Sequence, residues 1–169
     1  MNVAARHRLQ LATSVLALAV AAACHHPPPA ETPEAAFWGL RHAAAKVDER
    51  AARRFVTTHT LELMRDIQTA AAGIHASNVP ANVLDAFLQN FGRQAPELTG
   101  SEPKGGDETV LVIRYQSGHP GRLTFRREEG TWRLDLTQDL EPSLALLNGA
   151  KARLDALARG EIIQGDADD

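Results

Sequence analysis

Apolar residues recur at helical spacing through the first half of the chain and at alternate positions through part of the second. Ala36, Leu40, Ala43 and Val47, widened by Phe37 and Ala44, make one stripe of a first helix. Thr32 is placed to cap it, Pro33 suits the first helical position, and Glu34 suits the positive end of the dipole. A break near 46–48 follows, with Asp48 capping a short second helix that reaches Phe55 and buries Ala51, Ala52 and Phe55. Caps within 57–60 open a third helix to about Ile74, whose stripe is Leu61, Met64, Ile67, Ala71 and Ile74. Pro80 opens a fourth, with Val83, Leu84, Phe87, Leu88 and Phe91 inward and Gly92 as its stop.

Residues 93–107 hold two prolines and three glycines and predict a loop, with at most a short strand at 97–99. The β-branched run 109–115 then predicts a strand apolar on both faces, hence a central one, ending in a turn at 118–121. From 122 to 137 the pattern alternates strictly about Glu129-Gly130, which predicts a two-residue hairpin turn. That register pairs Glu128 with Thr131, Phe125 with Leu134 and Leu123 with Leu136 on strands facing a core. It also sets Arg126 opposite Arg133, an unfavourable pair unless Asp135, Glu128 or a ligand balances it. Glu141-Pro142 predicts the start of a last helix, with Leu144, Leu147, Ala150, Leu154 and Leu157 as its stripe and Gly160 as its end. The fold class expected is α+β: N-terminal helices packed on a small antiparallel sheet, followed by a C-terminal helix. The folded domain spans 32–160, and 161–169 is an acidic tail.

The N-terminus follows another rule. Arg6, His7 and Arg8 precede an uncharged, mostly apolar run over 9–23, too short for the roughly 20 residues of a membrane-spanning helix. A basic start, a short apolar stretch and small residues at its end describe an export signal over 1–23. The chain's one cysteine, Cys24, follows Ala21-Ala22-Ala23 directly, and the site resembles a bacterial lipobox, with Ala21 where leucine is usual. The resemblance implies diacylglycerol on the Cys24 thiol, cleavage before it and acylation of the new amine. Two or three acyl chains anchor stably where one does not. His25 follows the cysteine in place of the Asp that resembles an inner-membrane retention signal, which points to the outer membrane, facing the periplasm. Residues 24–31, with three successive prolines, form a stiff tether.

Composition limits the function classes. With 44% hydrophobic and 23% charged residues the chain can bury a core. Its formal charge of −3 moves to −5 when 1–23 and their two arginines are removed, which excludes the basic surplus of a nucleic-acid binder. One cysteine allows no internal disulfide.

The helix start at Thr32-Pro33-Glu34, the short helix over 48–55 and the hairpin from Glu129-Gly130-Thr131-Trp132 to Asp135 together resemble small secreted members of the nuclear-transport-factor-two-like (SnoaL-like) superfamily. That resemblance implies a curved sheet wrapping helices around a pocket. Helices, three strands and a terminal helix are also similar to periplasmic phospholipid-shuttle proteins of the toluene-tolerance type, which hold acyl chains between sheet and helices. Both imply an apolar cavity. Enzymes of the first superfamily use a pocket His and Asp, for which His42, His59, His75, Asp48 and Asp66 are the residues available. His42, His59 and Trp132 are the candidates for lining a ligand pocket, and Arg114, Arg126 and Arg133 for a face that meets an anion or acidic partner. No nucleophile elbow, phosphate loop or His-x-x-x-His spacing occurs, so no catalytic residue, metal or cofactor is expected. The reading is a membrane-anchored binding or interaction module, with an apolar-ligand carrier or a His/Asp pocket enzyme as alternatives. The expected partners are the membrane, through Cys24, and an envelope protein or small apolar ligand.

Overall fold

The computed structural model describes residues 29–161. The segment read as an export signal, Cys24, most of the expected tether and all but the first residue of the acidic tail lie outside them. The fold is α+β. Helix α1 (Pro33–Ala45) is followed by α2 (Glu49–Ala52), which tightens into a 3₁₀ turn, Arg53–Phe55. Then come α3 (Thr58–Gly73), α4 (Val83–Gln94), strands β1 (Glu97–Gly105), β2 (Glu108–Arg114), β3 (Pro120–Glu128) and β4 (Thr131–Asp135), and α5 (Thr137–Ala158). The four strands form an antiparallel meander in chain order.

The helix starts follow the expected capping chemistry. Thr32, Asp48 and Thr57 accept from the backbone N–H three residues on and satisfy donors the helix itself leaves orphaned. Both ends of α4 depart from the sequence reading. Asn82, not Pro80, caps α4, accepting from Asp85 N–H at 3.0 Å. Gly92 does not end α4, which continues to Gln94 and stops where Ala95 turns left-handed (φ 40°) ahead of Pro96. Gly92 serves packing instead. A Cβ there would sit 2.7 Å from the Ala44 carbonyl oxygen, so its absence lets α1 and α4 touch. Gly92→Ala should therefore lower stability by about 1–3 kcal/mol in urea unfolding, as overpacking does. An unchanged midpoint would show that the two helices separate freely.

The segment read as a loop holds β1, nine residues long, with register shifts at Leu98/Gly100 and Pro103/Gly105. Pro103 and the bulges fit because β1 is an edge strand. The hairpin pairs Glu128 with Thr131, Phe125 with Leu134 and Arg126 with Arg133. The ladder stops at Thr124 and Asp135, so Leu123 and Leu136 do not pair as strand residues; Leu136 precedes α5. The other sheet edge, at β4, is covered by the chain itself. Trp132 N–H donates to the Ala30 carbonyl at 3.0 Å, and Thr57 N–H donates to the Leu134 carbonyl at 2.9 Å.

The core lies between one sheet face and α1. Phe37 and Leu40 from α1 meet Leu111, Ile113, Phe125 and Leu134 from the sheet, all fully buried. Aromatic contacts extend this layer outward, with Phe37 edge-on to Phe91 and Phe91 stacked on Phe87. Helix α5 begins a full turn before Glu141-Pro142, and Pro142 lies inside it. It packs chiefly on α3 and runs parallel to it: Leu136 N–H reaches Thr60 at one end, and the Lys151 side chain passes over Gly73 at the other. Sixteen residues of α3 cannot cover twenty-two of α5. The expected inner stripe is thus only half-buried at Leu144, Leu147 and Ala150, while Leu154 and Leu157 are exposed. No helix among the described residues is long and apolar enough to cross a membrane.

Candidate functional site

Alternation along the strands divides the sheet residues into two sets. Leu111, Ile113, Leu123, Phe125 and Leu134 face the helices, and Trp132 lies half-buried against their cluster. The register places Arg114, Arg122, Arg126 and Arg133 on the opposite face, with Glu102, Glu108, Glu128 and Asp135. The arginines of this face are largely balanced within the sheet. Arg122 binds Glu102 through both terminal nitrogens, at 3.0 and 2.5 Å, reaching across β2. Arg126 bridges Glu108 at 3.1 Å and Asp135 at 2.9 Å. Arg133 meets Glu128 at 2.6 Å and Glu129 at 3.6 Å, and its buried Nε has no hydrogen-bond partner. Hydrogen bonding to Arg122 holds the Glu102 carboxyl below its ordinary range, and that contact is lost as falling pH protonates Glu102.

Two of these carboxylates also serve helices. Glu128 accepts from Thr58 N–H at 3.1 Å, at the start of α3, and Asp135 accepts from Thr137 N–H at 2.9 Å, at the start of α5. Parallel helices bring two positive dipole ends together, and a carboxylate at each relieves the repulsion. Arg133 and Arg126 then balance the carboxylates. Around Asp135 the network is buried: Thr60, with no exposed surface, donates to Asp135 at 3.4 Å and accepts from Thr57 Oγ1 at 2.8 Å and from Leu136 N–H at 3.0 Å. Thr137 Oγ1 adds a 2.5 Å bond to Asp135.

Between this sheet face and the start of α5 lies a cavity of about 410 Å³. Lys104, Arg122 and Arg126 supply its positive charge; Glu108, Asp135 and Asp139 supply an equal negative charge. An anion entering it would have to displace carboxylates from Arg122 and Arg126. The lining suits a polar partner surface of mixed charge better than a phosphate or an acyl chain.

The structure does not bring His42, His59 and Trp132 together. His42 is exposed on α1, and none of the three lines the cavities described. His59 is exposed at the start of α3, 3.9 Å from both Glu62 and Glu141. Asp48 is spent on its cap, and His75 and Asp66 are exposed. The space between sheet and helices, where both resemblances imply a ligand, is occupied by the buried aromatic and aliphatic side chains of the core. Arg114 forms no ion pair among the described residues. No cluster of three His, Cys, Asp or Glu side chains placed to hold a metal occurs among them either. Comparison with known families, characterised proteins and solved structures finds no match. The charged face rests on this chain's own geometry. Sequence reasoning missed Glu102, because β1 was not legible as a strand, and did not single out Glu108 on β2 or Arg122 on β3; the alternation of Arg122 with Leu123 was the available signal.

Proposed function

We propose that this protein is a bacterial envelope lipoprotein, held through acyl chains on Cys24, whose α+β body is a non-catalytic interaction module facing the periplasm from the outer membrane. One observation carries the reading: the sole cysteine stands directly after the apolar run and, with two histidines between, just ahead of three successive prolines. Further support comes from where the body begins. Ala30, at the end of that spacer, is already buried and bonded to the sheet edge, so the tether leads straight into the domain. A stiff spacer of this length holds the body just off the lipid surface. The interaction role draws on the surface. Buried side chains fill the space between sheet and helices, His42 and His59 are exposed on different helices, and the polar recess beside α5 presents paired charges of both signs suited to a protein surface.

Cys24→Ser tests the anchor. The variant should take up no radiolabelled palmitate and should occur as a soluble form or as uncleaved precursor. Mature, membrane-bound Cys24→Ser protein would overturn the reading.

A further inference from the structure

One flank of α5, beside its contact with α3, carries exposed apolar residues that no other element among the described residues covers. Pro142, Leu146, Gly149 and Ala150 line a shallow recess along it, with Arg153 at its end. Leu146 is 77% exposed, the most exposed of the large apolar side chains among the described residues. It also forms the rim of a neighbouring groove of about 360 Å³ toward Ile67, Val79 and Val83. Leu157, 60% exposed, continues the same stripe.

Charge is arranged symmetrically about Leu146. Asp139 stands one heptad before it and Arg153 one heptad after, so both lie within about 20° of its direction around the helix. Both are exposed, and neither has an ion-pair partner among the described residues. An acid and a base equidistant from an apolar centre form a self-complementary surface, the requirement for a two-fold contact.

We infer that α5 is the interface of a homodimer in which two copies pack antiparallel across a two-fold axis at Leu146. Leu146 then meets the partner's Leu146, Pro142 meets the partner's Ala150, and Asp139 pairs with the partner's Arg153 on each side of the axis. Gly149 and Ala150 let the helices approach closely. A parallel pairing would set Asp139 against Asp139 and Arg153 against Arg153, so the charges select the antiparallel one. A contact of about two heptads is smaller than a standard interface, so the dimer in solution is weak. Confinement of tethered copies to one membrane would raise their effective concentration. That last effect rests on the proposed anchor; the dimer itself does not.

Sedimentation equilibrium of the full Cys24→Ser chain tests the inference without acyl chains, so its result is independent of lipidation. It should show a reversible dimer. D139R and R153D should each weaken it about tenfold, and the double variant D139R/R153D should restore it. Asp139 lies in the first turn of α5, so D139R loses some helix stability; circular dichroism should still show a folded chain in all three variants, and the return of the dimer in the double variant separates pairing from that loss. In the same background L146C is the only cysteine, and mild oxidation should link it to its counterpart. A chain monomeric at all concentrations, or a dimer indifferent to the charge reversals, would overturn the inference. So would a monomer that binds phosphatidylglycerol vesicles through this face, more tightly as D139R.

Discussion

Phe125→Ala should lower the unfolding free energy by about 3–5 kcal/mol, the range for emptying a fully buried aromatic site. Phe125 has no exposed surface, pairs with Leu134 across the hairpin and lies under the layer formed by Phe37 and Leu40. The site has little room to collapse, because its neighbours are held by a strand ladder on one side and by α1 on the other. A domain of this size has about 5–15 kcal/mol in total, so the variant should unfold at a much lower urea concentration with an unchanged denaturant slope. A loss below about 1 kcal/mol would mean that the sheet buries its other face.

Asp135→Ala should cost about 2–4 kcal/mol by the same measurement. The side chain is buried and fills four roles at once: it accepts from Thr60, from the Thr137 hydroxyl and from Thr137 N–H, and it pairs with Arg126. Removing it takes the acceptor from the buried Thr60 hydroxyl proton and leaves the start of α5 without its carboxylate. Asp135→Asn keeps an acceptor but not the charge, and should lose less. Equal losses in the two variants would show that charge, not hydrogen bonding, governs the site. A loss within about 0.5 kcal/mol for Asp135→Ala would remove the polar knot as a structural element.

The two variants probe features of unequal visibility in the sequence. The face buried by Phe125 was legible, because strict alternation about Glu129-Gly130 fixes both register and inside from outside. Helix starts at Thr32 and Asp48 were legible, and that of α3 to within 57–60, because a capping side chain acts over three residues. That register set Arg126 against Arg133 and left Asp135, Glu128 or a ligand to balance them; the two carboxylates do so. What escaped depends on distant neighbours. β1 carries Gly100, Pro103 and Gly105, which read as a loop, and becomes a strand because β2 supplies its partner. Gly92 reads as a helix stop until Ala44 is seen against it. Pro142 reads as a helix opening, yet α5 begins a turn earlier, where Asp135 accepts from Thr137 N–H. The knot at Thr60 joins residues about 75 positions apart, and no local pattern announces it.

The Ala30–Trp132 hydrogen bond has a mechanical consequence. Any pull transmitted along the chain upstream of Pro29 enters the body there, at one bond on the sheet margin. Next in line is α1, which carries Phe37 and Leu40 into the centre of the molecule. Once that single latch yields, further traction draws out the innermost helix, so rupture under tension and loss of the fold become one event.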